Sequence, residues 1–126
     1  LVNCAGVPGD FNGPHVDHEF CRQQPYEEPI AHAPLVFAIS TGLLCQLGIN
    51  EQTLVAMLGV DDWRILGPVK HGDTLHVTAE VTQGRPTSKG GRGIVTFDRA
   101  IVNQHGKAVQ TMTVQCMYLC SPAARG

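Results

Sequence analysis

The stretch PLVFAISTGLLCQL, residues 34–47, closed by Gly48, decides the fold. Proline suits the first position of a helix, where its missing N–H is not needed. Glycine suits the position just past a helix end. The run is apolar nearly all round, and its polar positions are Ser40, Thr41 and Gln46. A helix of that kind is buried rather than laid on a surface. Gly42 leaves room for a close neighbour, most simply a sheet.

Downstream of Gly48 the character changes to strands. Residues 53–65 carry a β-branched and apolar mix. From Thr74 to Thr82 the alternation is clean, with Leu75, Val77, Ala79 and Val81 on one face and polar residues on the other. Residues 83–91 read as a polar Gly/Pro/Ser loop. Residues 92–102 and 107–120 are two long strands, and the connection Asn103-Gln104-His105-Gly106 suits a hairpin. Upstream, residues 1–15 form a loop after a short helical start. Asp17 can cap a short helix from His18 to Gln24, stopped by Pro25. One helix followed by antiparallel strands is an α+β layout, a curved sheet wrapped around a central buried helix. Its open edges predict pairing between copies, hence a homodimer or higher homo-oligomer.

The 126 residues fit one domain, and 43% hydrophobic with 16% charged is an ordinary globular composition. A net charge of −2 gives no basic field to hold nucleic acid. No run approaches the roughly 20 apolar residues needed to span a bilayer. The first residues lack the features of a signal peptide. Five cysteines are an odd count without a CxxC pair. Cys116 and Cys120, four apart on a strand, lie about 13 Å apart, too far to share a bridge or a metal. Reduced cysteines packed as small hydrophobes in a cytoplasmic protein are the favoured reading.

The chemistry concentrates in PGDFNGPHVD, residues 8–17. It holds a carboxylate, Asp10, and an imidazole, His15, in a loop shaped by Gly9, Gly13 and Pro14. One acid and one imidazole converging on a water form a competent acid–base pair. The same residues are good turn chemistry, with Asp10 and Asn12 bonding their own backbone, and taken alone that reading is the stronger. A second piece, PIAHAPL, residues 29–35, begins the helix. Free N–H groups there could hold a developing oxyanion. Since Pro34 has no N–H, Ala33 or Leu35 must donate. His32 on its own reads as a packing or capping residue. A third piece, GPVKHGDTL, residues 67–75, reads as a turn feeding a strand.

Together, in this order and spacing, the three pieces resemble the MaoC-like dehydratase family, which includes the (R)-specific enoyl-CoA hydratases. The matching residues are Gly9-Asp10-Phe11-Asn12, His15, Asp17, Pro29-Ile30-Ala31-His32, Gly67-Pro68-Val69 and Gly72-Asp73-Thr74-Leu75. The resemblance covers nearly the whole chain and implies a single hotdog domain over residues 1–126, without the family's usual first strand. It implies reversible hydration of 2-enoyl thioesters to (R)-3-hydroxyacyl thioesters, with Asp10 and His15 as the acid–base pair. It places Asn12, His32 and the Ala33 N–H in the oxyanion and substrate-binding set. Ala33 stands where the family has glycine, and Gly13-Pro14 where it more often has proline and an apolar residue. The substrate would be an acyl-CoA or an acyl-carrier thioester, with no separate cofactor and no metal.

Other readings are weighed beside it. His15, Asp17 and His18 could suggest a metal site, but His15 and His18, three apart, have no evident third ligand beside them and the no-metal reading is favoured. Arg85, Lys89 and Arg92 could meet coenzyme A phosphates, but a solvated loop is favoured. Asp98 and Arg99 read as surface residues, and Trp63 as a core or interface anchor. A hotdog thioesterase would usually use a carboxylate on or near the helix, and residues 34–47 hold none. A non-catalytic acyl-binding subunit has only Ala33 and the short start in its favour.

Overall fold

A computed structural model of the chain describes residues 1–122. In chain order the elements are α1 (Val2–Gly6), α2 (Gly13–Val16), α3 (His18–Arg22), α4 (Ala33–Gln46), β1 (Leu54–Ile65), β2 (His76–Pro86), β3 (Arg92–Val102) and β4 (Ala108–Leu119). The four strands form one antiparallel sheet in the order β1-β4-β3-β2. The chain thus has the α+β hotdog architecture, a curved sheet laid around one long helix.

Register decides which residues meet that helix. Arg99 of β3 pairs with Met112 of β4, and Phe97 with Val114. Arg99 Nη1 donates to Ser40 Oγ of α4 at 3.1 Å. Side chains alternate along a strand, so Phe97, Ile101, Met112, Val114 and Cys116 share that face. Ile101, Met112, Val114 and Cys116 form the core with Val36, Val69 and Val109. On α4 the buried side chains are Val36, Ser40 and Leu44, one stripe at i, i+4 and i+8.

Several sequence expectations are corrected. The helix is not buried all round: only that stripe is fully buried, Phe37 is partly covered against the core, and Leu47 just past the helix end is 68% exposed. Nothing lies within 4 Å of the Cβ position of Gly42, so that glycine makes no close approach to the sheet. The expected loop at 83–91 shrinks, because β2 runs on to Pro86 and pairs Gln83–Pro86 with Gly93–Thr96. Gly84 and Pro86 are tolerated because β2 is an edge strand and Pro86 is its last residue. The end of the stretch read as loop, residues 13–15, instead belongs to the short α2 (Gly13–Val16). Arg99 is not a surface residue. It is 6% exposed, whereas its neighbour Asp98 is exposed.

The caps and turns behave as read. Asp17 accepts a hydrogen bond from the Phe20 N–H at 3.0 Å and starts α3. Arg85, Lys89 and Arg92 are all exposed. The β1 edge of the sheet is rich in exposed apolar side chains, among them Val55, Met57, Leu58, Trp63 and Ile65, whereas the β2 edge exposes Val81. Among the described residues no helix is long and apolar enough to cross a membrane.

Ile101 is fully buried at the centre of the core and Val81 is 60% exposed on an edge. Ile101→Ala is therefore expected to cost about 2–5 kcal/mol in urea unfolding. Val81→Ala should stay within about 0.5 kcal/mol of the parent. Equal effects would contradict this placement of the core.

Candidate active site

The site is built where the N-terminal loop, the segment before α4 and the turn before β2 are stitched together. Ile30 N–H donates to Pro14 O at 2.9 Å, and Ala31 N–H to Val69 O at 2.7 Å. Ile30 and Lys70 also form an isolated bridge. The Gly67–Leu75 stretch, which carries no chemistry of its own, thus seats the segment bearing His32. Asp73 holds that turn by accepting from the Lys70 N–H at 2.8 Å. Gln104 donates to its other oxygen at 2.9 Å, and this contact does most to keep the Asp73 carboxyl below its usual range.

The loop itself is tight. Gly9 has φ +80°, a conformation that favours glycine. A Cβ on Gly13 would lie 3.1 Å from the Phe20 ring, so glycine lets α2 sit against α3. The buried Cys21 thiol points at Gly13 O and Pro14 O, at 3.6 and 3.5 Å.

These ties bring Asp10, His15 and His32 together. The two imidazole rings stack with centroids 3.7 Å apart and planes 21° apart. His15 Nδ1 lies 2.9 Å from Ile30 O, and His32 Nε2 lies 2.9 Å from Asp10 O. A carbonyl only accepts, so His15 donates from Nδ1 and His32 from Nε2. In neutral His15 the Nε2 lone pair is then left free, 3.8 Å from Asp10 Oδ2. That gap is too long for a direct hydrogen bond, and both atoms can reach one small molecule between them. His32 Nδ1 is buried without a hydrogen-bond partner.

Asn12 grips Asp10 twice. Its backbone N–H and its side-chain Nδ2 both donate to Asp10 Oδ1, at 3.2 and 2.6 Å. The backbone hydrogen bond from Asn12 does most to hold the Asp10 carboxyl below its ordinary range. The Asn12 side chain and the two imidazoles add to it, against a desolvation cost that works the other way. The turn chemistry that made this motif ambiguous is therefore present, and it keeps Asp10 ionised.

Asp10, His15, Ile30, His32, Ala33, Val36, Ile65, Val69 and Gln110 line a cleft of about 520 Å³. Its floor is the start of α4, where the N–H groups of the first turn have no intrahelical partner. The helix begins at Ala33, with His32 as the extended residue before it. A hollow of about 530 Å³ on the face of the sheet away from α4 is lined by Asp62, Glu80 and Asp98, and brings together neither an imidazole nor a helix start.

One buried residue of the site escapes a motif-based reading. Gln110 is 1% exposed. It donates from Nε2 to Ala33 O at 3.0 Å and accepts at Oε1 from Trp63 Nε1 at 2.9 Å. The available signal is its place on the face of β4 otherwise held by Met112, Val114 and Cys116.

Asp10, His15 and His32 offer ligand atoms within 4.8 Å of one another, the donor set that could hold a metal ion. The expectation weighed from sequence used His15, Asp17 and His18, but Asp17 is occupied as the α3 cap. The geometry of the actual trio suits hydrogen bonding better than coordination. Stacked rings send their lone pairs side by side, and His32 Nε2 already donates to a carbonyl.

Fold and site define a hotdog protein with a carboxylate–imidazole cleft at the start of its long helix. Residues 1–103 match the family described as MaoC like domain, and the chain belongs to that family. It is 29% identical over 77 residues to Protein MaoC of Klebsiella aerogenes, a match covering 61% of this chain and 22% of that protein. The chain therefore spans about a fifth of the length of that curated relative. Among solved structures it is similar to a monoamine oxidase regulatory protein from Archaeoglobus fulgidus, with TM-score 0.88, 30% identity and coverage of 97% of this chain and 81% of that one. It is similar to a MaoC-like dehydratase from Rhodospirillum rubrum, with TM-score 0.82, 27% identity and coverage of 95% and 82%. It is also similar to an (R)-hydratase from A. caviae involved in PHA biosynthesis, with TM-score 0.71, 26% identity and coverage of 96% and 85%.

A folded-state pKa held below the ordinary value means the ionised Asp10 is favoured by folding. That stabilisation is present above the ordinary value near 3.9 and is lost as pH falls through the lower folded value. The carboxyl carbon of Asp10, followed by NMR, should titrate below about 3.9. In Asn12→Ala the midpoint should move up, because one of two donors is gone. An unmoved midpoint would contradict the role given to the Asn12 side chain.

Proposed function

We propose that the chain catalyses the reversible hydration of 2-enoyl thioesters to (R)-3-hydroxyacyl thioesters. The observation that carries this reading is the 3.8 Å gap between Asp10 Oδ2 and His15 Nε2, open to the cleft at the start of α4. The Rhodospirillum dehydratase and the A. caviae hydratase, similar along nearly the whole chain, supply the class of reaction.

A water in that gap donates one hydrogen to His15 Nε2 and the other to the Asp10 carboxylate. As its oxygen bonds to C3 of the enoyl chain, a proton passes from the water to the pair. The C2–C3 electron pair moves toward the thioester oxygen, which the Ala33 N–H receives. The pair then returns a proton to C2. One water has been added and the pair ends as it began. The Ile30 carbonyl holds His15 in the tautomer that can accept, and Asp10 stabilises the imidazolium while it exists. His32 stacks on His15 and fixes its plane. Coenzyme A, or the pantetheine arm of a carrier protein, is the thiol portion of the substrate. No metal enters any step.

Two copies paired through the apolar β1 edge would make one continuous sheet and remove the hazard of that open edge. Light scattering at micromolar concentration should give a homodimer or larger assembly, and a monomer would count against it.

Asp10→Asn and His15→Ala should each lower crotonyl-CoA hydration at least ~10²-fold with circular dichroism unchanged. Near wild-type rates in both folded variants would sink the assignment. Release of free thiol from the same substrate would point to a thioesterase instead.

A further inference from the structure

Gln110 stands in β4 where an apolar side chain is expected, and its amide reaches the residue that begins α4. Its Nε2 donates to Ala33 O at 3.0 Å. Ala33 is the first residue of the helix, so its N–H has no acceptor within the helix. Pro34 follows it. The residue before a proline is pushed away from helical angles toward extended ones. That change is a rotation about the Cα–C bond of Ala33, which swings the Ala33 carbonyl relative to the Ala33 N–H. A donor fixed on β4 that holds the carbonyl opposes the swing. It therefore fixes how the free N–H is aimed relative to the rest of the helix.

The other end of the Gln110 amide is held by a distortion in β1. Asp61 pairs with Thr113 and Arg64 with Thr111, so Asp62 and Trp63 together oppose the single residue Met112. Asp62 has φ +48°, a left-handed conformation uncommon outside glycine. Arg64 Nε donates to Asp62 Oδ1 at 2.8 Å within this bulge. The extra residue reverses the alternation of side chains, so Trp63 and Ile65 face the helix side as Val60 does. Without the bulge Trp63 would point to the far face of the sheet. With it, Trp63 Nε1 donates to Gln110 Oε1 at 2.9 Å, and the indole ring lies 5.4 Å from Phe37. An indole N–H only donates, so it takes the amide oxygen and leaves the amide nitrogen to Ala33. Bulges beside active sites commonly re-aim a side chain, and left-handed residues other than glycine persist where their surroundings hold them.

We propose that Gln110 is a positioning residue for the hydration step. Through the Ala33 carbonyl it holds the Ala33 N–H at the thioester oxygen, and the β1 bulge delivers Trp63 to hold Gln110. This rests on the hydratase reading above, in which the Ala33 N–H receives the charge that develops on that oxygen.

Gln110→Met should lower kcat for crotonyl-CoA at least ~10-fold with KM within about 3-fold of the parent, because the N–H it positions matters most once charge has developed. Trp63→Phe keeps a ring and removes the donor, and should lower kcat by a smaller factor. It serves where Gln110→Met does not fold, and an unchanged kcat in Trp63→Phe would overturn the proposal. Pro34→Ala removes the bias on Ala33, so adding Gln110→Met to Pro34→Ala should cost less than adding it to the parent. A side chain that only filled the core would cost the same in both backgrounds, and that result would also overturn the proposal. The Ala33 amide resonance, followed by NMR, reads the arrangement without turnover. Saturating butanoyl-CoA should shift it in the parent and shift it less in Gln110→Met or Trp63→Phe. An Ala33 amide that butanoyl-CoA leaves unmoved in the parent would sink the proposal as well. A parent that hydrates no enoyl thioester, but whose Ala33 amide responds to butanoyl-CoA and depends on Gln110, would overturn the activity reading and leave this one standing.

Discussion

A carbonyl oxygen can only accept a hydrogen bond, and two carbonyls set the state of both imidazoles in this protein. Ile30 O takes the Nδ1 proton of His15, and Asp10 O takes the Nε2 proton of His32. Both stacked rings turn Nε2 toward Asp10, but His15 offers a lone pair there while His32 offers a donor to the backbone. The distance between Asp10 and His15 then becomes a place for a third molecule rather than a closed contact. Every tie that positions these carbonyls, from the Ile30 N–H on Pro14 to the Ala31 N–H on Val69, acts at the cleft through them.

Much of this was legible in the sequence. The helix was marked by Pro34 and Gly48, and the last two strands by the Asn103–Gly106 connection. Alternation marked β2 but misplaced its end, because Gln83, Gly84, Arg85 and Pro86 look like a loop when the edge position is unknown. The opposite error occurred in α4. A sequence apolar on all sides implies cover on all sides, but only the stripe of Val36, Ser40 and Leu44 is fully buried. Part of the remaining apolar surface of α4 is exposed, as are the apolar side chains along the β1 edge.

Within the site, Asp10 and His15 were legible because spacing in a short loop limits where they can point. His32 was legible as part of a motif, but its stacking on His15 depends on a bridge between residues 40 apart in sequence. Arg99 was misread because a charge between Asp98 and Ala100 looks solvated. Strand parity alone puts it on the face of Phe97 and Ile101, and parity was the better guide. Gln110 carried the same signal of a polar side chain in an apolar row.

Gln110 has a consequence at the level of chemical identity. Its two ends do different jobs, donating to Ala33 O and accepting from Trp63 Nε1. A glutamate there has the same outline but places oxygen against oxygen at Ala33, while a leucine of similar bulk leaves both neighbours unanswered. The helix start and the outer strand are thus joined by a polarity as well as by a shape. The amide acts as a keyed strut: turned end for end it no longer fits, so the register between α4 and β1 is encoded in one side chain with two unlike ends.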